Sequence, residues 1–96
     1  MIRQDVLDFA EAMESKLRKY DATRGTSWKT DRPKDLLEHL KEEVRELEVG
    51  LECKDDIERI LLECADVANL AMMIADSYSL NLWKKDDEEY ERRNIR

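Results

Sequence analysis

Ile60-Leu61-Leu62-Glu63-Cys64-Ala65-Asp66-Val67-Ala68-Asn69-Leu70-Ala71-Met72-Met73-Ile74-Ala75 is the stretch whose reading decides the fold. It contains no Gly or Pro, and apolar side chains fall on nearly every helical face. A helix apolar all round belongs in a core or an interface. Glu63 and Asp66 interrupt it, and an ionised carboxylate in such surroundings costs several kcal/mol unless it is paired or metal-bound. Total stability is only about 5 to 15 kcal/mol for a domain. Packing alone does not account for two such groups.

Working outward, the helix that holds this stretch spans about residues 55–80, a length of about 40 Å at 1.5 Å per residue, and Asn81 ends or bends it. Residues 50–55 form a short connection behind Gly50, which is read as a stop signal. Before it, Leu36, Leu37, Leu40, Val44 and Leu47 form the stripe of an amphipathic helix over about residues 32–49. Asp31 is its expected N-cap, and Pro33 falls in its first turn. Val6, Leu7, Phe9, Ala10, Met13, Leu17 and Tyr20 mark a first helix over about residues 3–20. The loop between them, residues 22–30, is rich in small and polar residues and carries Trp28 and Lys29. The tail from Trp83 to Arg93 is dominated by charge and forms either a fourth, polar helix or a frayed end over about residues 84–96.

These elements predict one all-α domain over residues 1–96: an antiparallel helical hairpin with flanking helices. A chain of 96 residues buries only about 60 to 65% of its unfolded surface. The wide apolar circumference of the third helix is therefore expected to be completed by at least one further copy of the chain, a homodimer or more, in a four-helix-bundle type of assembly. The net charge of −7 argues against a nucleic-acid surface. No run reaches the roughly 18 apolar residues of a membrane span. Cys53 and Cys64 form neither a zinc pattern nor a disulfide framework, and the charged N-terminal residues lack the apolar core of a signal peptide, so a cytoplasmic location is expected.

The acidic residues form a constellation. Glu43 and Glu46 lie about 60° apart on one side of the second helix, and Glu63 and Asp66 bear the same i, i+3 relation on the third. Residues 47–62 suffice for a hairpin that brings the four together. Converging carboxylates without sulfur or a histidine pair favour Mg²⁺ or Mn²⁺ over zinc. Glu42 points about 170° from the centre of the stripe on the same wheel and is a weaker candidate for a direct ligand. A carboxylate di-iron bundle is disfavoured because its Glu-x-x-His pairs are absent.

Glu42-Glu43-x-x-Glu46 followed by Glu63-x-x-Asp66, with Trp28-Lys29 ahead of Leu36-Leu37-Glu38-His39-Leu40-Lys41-Glu42-Glu43 and Asp66 to Asp76 behind, resembles the MazG-like all-α nucleoside triphosphate pyrophosphohydrolases. The resemblance covers roughly residues 24–76. It implies hydrolysis of a nucleoside or deoxynucleoside triphosphate to the monophosphate and pyrophosphate. It also implies that Glu43, Glu46, Glu63 and Asp66 hold Mg²⁺, with Glu42 or Glu46 accepting the proton of the attacking water.

Secondary candidates for substrate binding follow. Trp28 either stacks on a base or plugs the core. Lys29, Arg24, Lys84, Lys85, Arg92 and Arg93 either meet phosphates or are surface charge. Asn69 and Asp76 lie on the same side of the third helix as Asp66; Asn69 serves a base, a metal-bound carboxylate or an interhelical hydrogen bond. His39, one turn before Glu43, is placed to touch a metal ligand. The alternative to an enzyme is a non-catalytic acidic module for helical interaction or oligomerisation, whose fold would be indifferent to metal.

Overall fold

A computed structural model describes residues 1–23, 25 and 27–80. Its order is α1 (Gln4–Asp21), a 3-10 turn (Ser27–Thr30), α2 (Pro33–Glu52) and α3 (Ile57–Ser79), with no strand among the described residues. The fold of the described residues is all-helical, as expected. No helix among the described residues is long and apolar enough to cross a membrane.

The N-cap of α2 falls one residue later than expected. Arg32, in extended conformation, precedes Pro33 in the first turn and makes no side-chain cap. Pro33 has no N–H to leave unsatisfied and its fixed φ suits the first turn. Asp31 is not the cap: its carbonyl instead accepts a hydrogen bond from the fully buried hydroxyl of Ser77 at 2.6 Å, tying the approach to α2 onto α3.

Gly50 does not stop α2, which continues to Glu52. The glycine is buried, and a Cβ there would stand 3.2 Å from both Asp55 Oδ2 and Ile60 Cδ1. It marks a close approach between the arms of the hairpin. The stop comes at Lys54, whose φ of 54° is left-handed. Lys54 N–H donates to the Leu51 carbonyl at 3.2 Å and Asp55 N–H to the Gly50 carbonyl at 3.0 Å, the two bonds of a Schellman ending. Asp56 then caps α3 by accepting from the Arg59 N–H at 2.8 Å. The reversal therefore takes only residues 53–56, and so short a link leaves α2 and α3 antiparallel.

α3 is the central element and packs on α2, α1 and the 3-10 turn. Its buried positions are Ala65, Asn69, Leu70, Met73 and Ser77, which follow one face. The core joins Leu70 and Met73 to Trp28 and Leu36, with Leu17, Tyr20, Leu40 and Ile74 packed around them. The expectation of an all-round buried helix is corrected for the single chain, because Ile57 is 88% exposed and Leu61 and Met72 also face outward. Glu63 and Asp66 accordingly flank the buried face as half-buried residues and do not lie at its centre.

Candidate functional site

Both acidic motifs meet where the hairpin arms run side by side. One carboxylate oxygen each from Glu43, Glu63 and Asp66 lies within 4.8 Å of the others. That spread is little more than twice a Mg–O bond of about 2.1 Å. Glu43 Oε2 and Glu63 Oε2 are buried without a hydrogen-bond partner. Hard oxygens, two of them orphaned in the interior, fit a hard divalent cation. Glu43 and Asp66 also border a cavity of about 390 Å³ whose wall includes Leu36, Leu70 and Met73.

Close approach of the carboxylates has an electrostatic consequence. The Glu43 carboxyl is pushed up from 4.5 to about 7, first by burial, then by the charge of Asp66, by the charge and side-chain hydrogen bond of Glu46, and by the charge of Glu63. Its other neighbour is His39, whose Nε2 stands 3.5 Å from Glu43 Oε1. This is the one-turn contact that the spacing of the two residues predicts.

The remaining candidates divide. Glu46 is exposed and adjoins Glu43, but it does not belong to the converging set of three. Glu42 is exposed and is not among the charges that act on Glu43. Trp28 is a core residue at 8% exposure, which favours the plug over a base-stacking platform. Lys29 holds its ammonium 4.5 Å from the Trp28 ring centroid and pairs with Asp76 at 3.4 Å, so the polar Asp76 of α3 has a partner within the fold. Asn69, 4% exposed, makes the interhelical bond: its Nδ2 donates to the Met13 carbonyl of α1 at 3.0 Å. Its Oδ1 is buried without a partner, and the residue borders the cavity. Arg24, Lys84, Lys85, Arg92 and Arg93, with Trp83 and Asn81, lie outside the described residues.

Lys16 of α1 escaped the sequence reading. Its Nζ pairs with Asp66 Oδ2 at 3.2 Å, with both side chains 26% exposed. A signal was present: Lys16 follows Met13 by three residues and precedes Tyr20 by four, which puts a charge on the inward face of the helix. Comparison with known proteins adds no relative, since no protein-family model, curated protein or solved structure matches the chain.

Proposed function

We propose that this protein is a divalent-metal-dependent nucleoside triphosphate pyrophosphohydrolase, releasing pyrophosphate and a nucleoside monophosphate. The observation that carries the reading is the convergence of Glu43, Glu63 and Asp66, drawn from both acidic motifs, at the edge of a cavity with an apolar wall. These three residues would hold Mg²⁺ or Mn²⁺, with Glu46 joining from its place beside Glu43. The ion would supply positive charge for the phosphate oxygens and for the leaving pyrophosphate.

The chain's own groups do the rest. Glu46, exposed and next to the cluster, is the better proton acceptor for an attacking water, because Glu42 stands apart from the cluster's charges. His39 steadies Glu43 through its Nε2 contact. Leu36, Leu70 and Met73 give the cavity an apolar surface for a nucleobase, and the pinned amide of Asn69 offers it one acceptor oxygen.

The working form is a homodimer or homotetramer, a reading supported by the outward-facing Ile57, Leu61 and Met72 of α3 and Val44 and Val49 of α2. A cytoplasmic location accords with two free thiols, Cys53 and Cys64.

The test is pyrophosphate release by purified protein with Mg²⁺ across a panel of standard and modified NTPs and dNTPs. Turnover of at least one, abolished in Glu63→Gln, is expected. No turnover across the panel, with Glu63→Gln unchanged in metal binding, sinks the reading. One observation favours a second reading as a non-catalytic acidic module: Asp66 already has a protein cation, Lys16. That reading requires melting to be indifferent to millimolar Mg²⁺ or Mn²⁺.

A further inference from the structure

Lys16 stands where the candidate cation would act. It lines the cavity bordered by Glu43 and Asp66, and it also lines a second recess that contains Glu63. Lys16 thus borders both spaces that the three converging carboxylates line, and its ammonium pairs with one of them, Asp66, at 3.2 Å. Its place is fixed one turn earlier, where Asn69 Nδ2 holds the Met13 carbonyl and so ties α1 to α3. The reach of Lys16 to Asp66 is built into the packing of these two helices.

A single ammonium and a divalent ion are poor neighbours. At a separation of about 5 Å and an effective dielectric constant near 20, their repulsion far exceeds thermal energy. Lysine has a flexible four-carbon stem and a compact charge, so its head group can leave without disturbing the backbone. Partial exposure of the Lys16 side chain leaves it a route to solvent. A polyphosphate brought to the same cavity presents the anionic oxygens that a displaced ammonium would next meet.

We propose that Lys16 is an exchangeable internal counter-cation: a divalent ion displaces it from Asp66, and the released ammonium then binds the polyphosphate that arrives with the ion. This rests on the reading of the site as one for metal and nucleotide, and it adds a residue that neither acidic motif contains. Metal and polyphosphate affinities are thereby tied to one side chain with opposite signs.

The experiment compares wild type, Lys16→Met and Lys16→Arg at fixed pH and ionic strength. In the first arm, free Mn²⁺ is followed by electron paramagnetic resonance without nucleotide. Lys16→Met is expected to bind Mn²⁺ about tenfold more tightly, as loss of a competing charge requires, and Lys16→Arg no more tightly than wild type. In the second arm, inorganic tripolyphosphate is titrated at saturating Mn²⁺. Lys16→Met is expected to bind it about fivefold or more weakly, with Lys16→Arg retaining most of the affinity.

Misfolding would weaken both ligands together, so opposite shifts in one variant are the signature of exchange. Unchanged or weaker Mn²⁺ binding by Lys16→Met, or unchanged tripolyphosphate binding, overturns the proposal. If both shifts occur and no nucleotide is hydrolysed, the hydrolase reading fails and the role of Lys16 stands. If Glu63-dependent turnover occurs without the Mn²⁺ shift, the exchange fails alone.

Discussion

Replacing Glu43 with glutamine should make the protein's stability less dependent on pH, and the direction follows from where the carboxyl sits. The folded protein holds the Glu43 proton more tightly than the unfolded chain, with its titration moved from 4.5 to about 7. The stability this proton contributes is complete below pH 4.5, and it is lost as pH rises through about 7. At 1.36 kcal/mol per pH unit the interval is worth about 3 kcal/mol. Local relaxation and screening reduce this, since the side chain is 17% exposed, and about 1 to 3 kcal/mol is the expected effect.

Glutamine has nearly the same shape as the protonated acid. Glu43→Gln should therefore match wild type near pH 4.5 and exceed it by about 1 to 3 kcal/mol at pH 8. The assay is urea unfolding at a series of pH values with a chelator present, followed by circular dichroism. A variant-minus-wild-type difference that stays flat between pH 4.5 and 8 would refute the electrostatic account of the cluster. Mg²⁺ should reverse the ranking at pH 8, because wild type gains about 4.1 kcal/mol at a metal concentration about one thousand times Kd, whereas the variant has lost a proposed ligand.

Other outcomes are expected from the same geometry. Lys54→Gly relieves the left-handed backbone at φ 54° and should raise stability by about 0.5 to 1 kcal/mol, read as a higher urea midpoint with an unchanged slope. Ser77→Ala removes the 2.6 Å hydrogen bond to the Asp31 carbonyl from a fully buried position; a loss of about 1 to 2 kcal/mol is expected in the same assay. Gly50→Val places branched carbons against Asp55 and Ile60, where a Cβ alone already approaches to 3.2 Å, and should cost about 1 to 3 kcal/mol. A neutral result there would mean that the hairpin arms separate easily.

The hairpin and the convergence of Glu43, Glu63 and Asp66 were legible because two signals agreed. Apolar periodicity located the helices, and Glu63 and Asp66 were conspicuous in a run otherwise free of charge. Glu46 adjoins Glu43 but stands outside the converging three, since an i, i+3 relation shows only that two side chains share a side of a helix. How far each carboxylate reaches inward depends on the partner helix.

Gly50 misled for a related reason. A glycine that ends a helix and one that admits a neighbouring helix look the same in one dimension, and the second role depends on Asp55 and Ile60 across the hairpin. Spacing put Lys16 on the inward face of its helix, but its pairing with Asp66 and the Ser77 bond to Asp31 were not legible because each joins elements distant along the chain. Trp28 admitted two readings until its neighbours Leu36, Leu70 and Met73 were in place.

The four-residue reversal at 53–56 also restricts how this chain can vary in length. A residue inserted there would disrupt the Schellman bonds and the Asp56 cap that set where α3 starts against α2, and absorbing it into either helix would turn α3 by about 100° and swing Glu63 and Asp66 away from Glu43. Single insertions and deletions should therefore be excluded from that link. Length changes belong instead in residues 22–26, ahead of the 3-10 turn that seats Trp28 in the core and of Asp31, which is tied to Ser77.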